Sequence, residues 1–220
     1  MAANDGTPAI GRTLIHNVYI VNEGRSFLGY VLVEGDTISA VGEGAPEPEL
    51  IASANAIDGA GRLLLPGVID THVHFRDPGL THKADMATES MAAVAGGITS
   101  FIDMPNTKPP TISIAEVDRK MDRAREVSVA NYAFFIGATD SNLPELARAD
   151  YSRVAGVKLF MGSSTGNMLV SDPAAIDAIF SSVPAIVAVH AEDETLLRQR
   201  RQAVIDRYGE NLPIDFHPVI

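Results

Sequence analysis

The stretch GVIDTHVHFRDPG, Gly67 to Gly79, starts as an apolar strand, closes on two histidines two positions apart, and then runs through an arginine and an aspartate into Pro78-Gly79. Successive strand side chains point to opposite faces, so His72 and His74 project to the same side, about 6–7 Å apart along the chain. Two imidazoles on one face can share a metal ion. The flanking sequence decides what kind of sheet such a strand joins.

On its C-terminal side, apolar runs of strand length alternate with helix-length segments, the signature of βα units on a parallel sheet. Strands are expected at about 65–72 (within LLLPGVIDTH), 98–103, 130–138, 154–160 and 185–190, with helices at roughly 82–95, 113–127, 172–181 and 192–208. In the last helix Leu196, Leu197, Val204, Ile205 and Tyr208 fall on one apolar stripe, and Asp172-Pro173 is a helix start with proline at the first helical position. On the N-terminal side, TLIHNVYIVNEG and FLGYVLVEGDTISAVGEG, with a hairpin-like turn at Glu34-Gly35-Asp36, predict a small antiparallel sheet. The Ala-, Gly- and Pro-rich segment Gly44 to Arg62 reads as a connector with one more short strand. The expected division is therefore a β-sandwich segment over 1–60 and a (β/α) segment over 61–220.

Composition limits the functions such a chain can serve. It has 220 residues, 46% hydrophobic and 20% charged, enough for a packed core and wrong for a disordered segment. The net charge of −11 argues against nucleic acid or an anionic membrane surface and for small-molecule ligands. With no cysteine, disulfides and Cys-ligated zinc are excluded, and a metal must be held by histidine, carboxylate or a less usual group. MAANDGTPAI lacks a basic segment followed by an apolar run, and no stretch of about 18 apolar residues occurs, so a cytoplasmic protein is expected.

In parallel α/β folds the chemistry sits at the C-terminal ends of the strands. Those ends hold His72 to Asp77, then Asp103-Met104-Pro105-Asn106-Thr107, then Lys158 in GVKLFMGSS, then His190-Ala191-Glu192-Asp193. A lone His190 is ordinarily a satisfied, partly buried histidine. Lys158 lies inside an apolar strand, where lysine is rare unless paired. One reading is a side chain snorkelling from the strand end; the sharper one is an amine neutralised by burial that has captured carbon dioxide as a carbamate, a bidentate anion able to bridge two cations. Arg76 reads as a surface residue paired with Asp77 or as an anion ligand, and Asn106 as a turn residue or a neutral donor. Asp70 and Asp103 read as supporting carboxylates. His16, His82 and His217 lie outside the motifs.

PGVIDTHVHFRDPG, MPNTKPPT, GVKLF and VHAED, in that order and spacing, resemble the amidohydrolase superfamily and, within it, the dihydroorotases. Hydantoinases usually lack the HFRDPG continuation and allantoinases usually differ at MPNT, so both departures favour the dihydroorotase pattern. The resemblance implies a zinc-dependent (β/α)8 barrel after a small β-sandwich domain, and reversible hydrolysis of dihydroorotate to N-carbamoyl-aspartate in pyrimidine biosynthesis. It implies two zinc ions at His72, His74, carbamylated Lys158 and His190, with Arg76 and Asn106 on the substrate carboxylate. A small-molecule substrate and a homo-oligomer are expected, with no nucleic-acid or membrane partner. Such a barrel needs eight strands and typically about 250 residues, whereas five βα units are visible. The family's catalytic aspartate is accordingly expected beyond Ile220, the chain being expected to form an N-terminal portion, inactive alone. Other cyclic amidases and a non-catalytic, dihydroorotase-like scaffold subunit are the alternatives.

Overall fold

The computed structural model describes residues 11–162 and 168–219; MAANDGTPAI and the end of the GVKLFMGSST run lie outside the described residues. The chain separates into two compact units, Met1–Gly67 and Val68–Ile220.

In the first unit, β1 (Arg12–Asn22), β2 (Arg25–Glu34) and β3 (Thr37–Glu43) form an antiparallel meander, followed by a short helix α1 (Pro48–Ala52). Two further strands, β4 (Asn55–Asp58) and β5 (Leu63–Leu64), both pair parallel to β1, so the expected antiparallel sheet is mixed. Leu14, Leu32 and Ala54 make one apolar cluster with Leu50 and Ile51 of α1, and Val18, Ile20 and Val31 make another. The run LLLPGVIDTH is thus split. Its first leucines join β1 and only the residues after Pro66-Gly67 enter the next sheet, because proline has no backbone N–H to carry a ladder through. The units accordingly divide after Gly67, later than position 60.

The second unit alternates β6 (Val68–Val73), α2 (Met86–Ala95), β7 (Ile98–Asp103), α3 (Ile114–Val127), β8 (Asn131–Gly137), α4 (Leu143–Arg148), β9 (Gly156–Phe160), α5 (Pro173–Ser182), β10 (Val187–His190) and α6 (Glu194–Tyr208). Its five strands are parallel and lie in the sequential order β10-β9-β8-β7-β6, the arrangement of the opening strands of a (β/α)8 barrel, here incomplete. Asp85 caps α2 by accepting from Thr88 N at 2.9 Å, which delays that helix to Met86, and Asp172 caps α5 as its Asp-Pro start predicts. The residues of β9 are all buried. Val157 and Leu159 pack with Ile136, Leu146, Val170 and Ile179, which by alternation turns Lys158 and Phe160 to the other face. Full burial of side chains such as Val157, Leu159 and Ile179 contributes roughly 1.5–3 kcal/mol each, a strong constraint on strand register. The apolar stripe expected on α6 is only partly covered: Leu197, Val204 and Ile205 are half-buried, Leu196 and Tyr208 are exposed, and the Tyr208 ring rests on Phe216 at 4.8 Å.

Candidate metal centre at the strand ends

His72 and His74 leave the end of β6 with ring centroids 5.2 Å apart, as two residues on one strand face should. The His74 Nδ1 lies 2.7 Å from Asn106 Oδ1. An amide oxygen only accepts, so Nδ1 carries the proton and Nε2 keeps its lone pair for an incoming cation. Arg76, in the left-handed region at φ 62°, donates from Nη1 to the Asn106 carbonyl at 3.1 Å. The rest of its guanidinium has no protein partner among the described residues. Asp77 does not pair with Arg76; it is buried and accepts from Met86 N and Arg123 Nε, both at 3.3 Å.

The loops that carry Arg76 and Asn106 are fastened together. Lys108 N donates to Pro78 O at 3.0 Å, and Gly79, at φ 86°, lies so close to the Lys108 carbonyl that no side chain fits there.

Beneath this corner is a buried ion pair absent from the sequence reading. Lys120 Nζ lies 2.6 Å from Asp103 Oδ2 and 3.2 Å from the Met104 carbonyl, with 1% and 0% side-chain exposure for the two partners. Its ammonium also lies 4.7 Å from the Phe134 ring centroid. Burial pulls the Lys120 pKa down while Asp103 opposes the shift. The missed signal was present: Val117, Met121 and Ala124 mark the inward stripe of α3, and Lys120 falls on it.

At the other end of the row, Lys158 is 3% exposed, with Nζ 5.0 Å from the Phe160 ring and no hydrogen-bond partner among the described residues. Desolvation lowers its pKa, the direction that makes an amine nucleophilic toward carbon dioxide. His190 lies one strand over, where the β9–β10 register pairs it with Phe160. Its Nε2 donates to Glu192 Oε2 at 2.9 Å. Glu192 reaches that position because residue 162 is glycine; a Cβ there would collide with it.

The His72 pKa is lowered first by desolvation, then by the positive charges of Lys158 and His190, with Asp70 opposing, so these groups share one electrostatic neighbourhood. The His74 pKa is lowered by desolvation against the Asn106 hydrogen bond, and further by Arg76 and His72. Both shifts favour the neutral imidazole, the form that binds a metal ion. Among the described residues no three His, Cys, Asp or Glu side chains converge tightly enough to hold a metal ion by themselves. The donor chemistry nevertheless fits: two imidazoles with lowered pKa values, a third within electrostatic reach, and a buried amine, without a hydrogen-bond partner among the described residues, that could become an anionic bridge. Asp70 accepts from His72 N at 3.0 Å and serves the strand end.

Residues 63–216 match the Amidohydrolase family. The chain belongs to that family. Within it, this amidohydrolase is 35% identical to a dihydroorotase of Methanosarcina acetivorans over 78% of the chain and 37% of the relative, and 39% identical to one of Halobacterium salinarum over 74% and 38%. It is also 35% identical to an allantoinase of Solibacter usitatus over 91% of the chain and 44% of that protein. Among solved structures, an L-hydantoinase from Arthrobacter aurescens superposes with a TM-score of 0.81 at 25% identity, over 91% of this chain and 45% of that one. The chain spans less than half the length of these relatives. The shared fold places His72, His74, Asn106, Lys158 and His190 at strand ends, where α/β enzymes build their sites. Among the described residues no helix is long and apolar enough to cross a membrane.

Proposed function

We propose that the chain provides the first half of a dihydroorotase site, opening the cyclic amide of dihydroorotate to N-carbamoyl-aspartate and the reverse, within pyrimidine biosynthesis in the cytoplasm. The first unit would serve as the family's small β-sandwich domain, the second as the opening of its barrel, in a homo-oligomer. His72, His74, carbamylated Lys158 and His190 would hold two zinc ions. Zinc bound there supplies Lewis-acid polarisation and brings the ionisation of water within reach of neutral pH. The chain's own residues do the rest. Asn106 holds the His74 ring through Nδ1 while its amide N–H groups remain able to donate, and Arg76 offers a guanidinium edge to the substrate carboxylate.

The observation that carries this reading is Arg76, half-buried beside His74 and Asn106 with most of its fork unengaged among the described residues. Dihydroorotate carries a carboxylate; allantoin and hydantoin carry none. The allantoinase similarity favours a second reading, in which the same centre opens allantoin. The five-stranded sheet has β6 and β10 as its edges, so the 220-residue chain is proposed to be inactive until the sheet is completed. The test compares the chain with a chimera completed by the remaining C-terminal part of the Methanosarcina acetivorans dihydroorotase. Each receives zinc and bicarbonate and is offered dihydroorotate, allantoin and hydantoin. Turnover of dihydroorotate by the chimera alone is expected. Opening of allantoin in its place would overturn the substrate assignment, and comparable turnover by the uncompleted chain would overturn the need for closure.

A further inference from the structure

The β6–β7 ladder stops at the pair Val73–Asp103, so the residues that follow, His74 to Asp77, leave the sheet without a strand partner for their backbone. Just there the Asp103 side chain takes over. Its Oδ1 accepts from Phe75 N at 2.9 Å, its Oδ2 is held by Lys120 Nζ at 2.6 Å, and Lys120 donates again to the Met104 carbonyl at 3.2 Å. Met104 N in turn donates to Val73 O at 3.0 Å. Each of these bonds ends on one of the two strand ends bearing His72, His74, Arg76 and Asn106. Phe75 N belongs to the peptide bond joining His74 to Phe75, one residue before Arg76, so fixing it sets the direction in which both side chains leave the strand. Arg76 sits in the left-handed region, which a non-glycine residue keeps only where its surroundings over-determine it.

A buried ion pair is weak support for stability, since apolar residues of similar volume often serve as well. The geometry points to another use. We infer that Asp103 is a positioning residue: its carboxylate, with its buried charge balanced by Lys120 of α3, replaces the missing ladder bond at Phe75 and aims His74 and Arg76 into the site. Both side chains are buried, at 0% and 1% exposure. The aromatic contact of Phe75 with Phe101, 4.5 Å between centroids, anchors the same residue from its side chain, which leaves the orientation of its amide to Asp103.

This inference rests on the metal-site reading, and the test separates the two. Two double variants of the full 220-residue chain remove the ion pair in different ways. Asp103→Asn with Lys120→Met keeps an acceptor for Phe75 N, whereas Asp103→Leu with Lys120→Met keeps none. Both are compared with the unaltered chain below their melting transitions, by cobalt(II) titration followed through its d–d spectrum and by hydrogen exchange of the 74–80 segment. The Leu/Met variant is expected to lose at least about tenfold in cobalt affinity and to exchange at least about tenfold faster in that segment, while the Asn/Met variant stays within about threefold on both. Equal behaviour of the two variants would overturn the positioning role. If the unaltered chain takes up no cobalt, the functional reading fails, and hydrogen exchange alone decides whether Asp103 positions the segment.

Discussion

At the ends of β6 and β7 the candidate site is held from several sides: Asn106 grips His74, Arg76 grips the Asn106 carbonyl, and Asp103 with Lys120 secures the backbone between. At the ends of β9 and β10 the arrangement among the described residues is looser. Lys158 is buried yet has no hydrogen-bond partner among the described residues, and the His190 side chain, 41% exposed, meets the exposed Glu192 and the Phe160 ring, 6.2 Å away. The first corner is preorganised by groups already in place; the second is assembled from a buried amine and a histidine whose partner is an exposed carboxylate. Both corners come from the same βα rhythm. What separates them is how much helix-borne polar support reaches under the strand ends, since α3 sends Lys120 and Arg123 beneath the first corner.

The sharpest way to break the contrast is Lys120→Met alone. It leaves the Asp103 carboxylate buried and unpaired, and chemical denaturation is expected to read a loss of about 3–5 kcal/mol. A loss below about 1 kcal/mol would mean that water reaches the pair. Next in size is Arg76→Lys, which keeps the charge but not the fork. In the completed chimera it is expected to lower kcat/KM for dihydroorotate by roughly tenfold to a thousandfold with zinc content unchanged. Asn106→Ala frees the His74 ring, and chelator competition is expected to show roughly 10–100-fold weaker zinc binding.

The titration of the two β6 histidines tests the same corner by pH. The ordinary imidazole value of 6.5 applies to the unfolded chain, and desolvation, aided by Lys158 at His72 and by Arg76 at His74, lowers both pKa values in the folded one. Between the folded and unfolded values the unfolded chain binds more protons, so stability is full above about pH 6.5 and declines as pH falls toward the folded values. NMR titration is expected to give both midpoints below 6.5; a midpoint above it at either residue would contradict the desolvated setting. The smallest effect belongs to the second corner. Glu192→Gln removes an exposed charge partner of His190 and is expected to change the unfolding free energy by less than about 0.5 kcal/mol, measured by the same denaturation.

The motif residues themselves are local features. His72 and His74 share a face because a strand has period two, and the parallel sheet was legible because apolar runs such as those around Val157 and Val187 alternate with capped helices. The sequence by itself therefore determined the five strands of a parallel sheet and the row of histidines and lysine at their ends. It did not reveal that Leu63 and Leu64 pair with β1, since nothing within a short apolar run specifies its partner strand. Only the tertiary structure decided that Arg76 holds the Asn106 carbonyl and leaves Asp77 to Arg123, that Asn106 grips the His74 ring, and that Lys120 closes on Asp103 from another element. A periodicity reports which face a residue occupies. Which polar group meets it there depends on helix and strand coming together, and on the cost of burying either charge without the other.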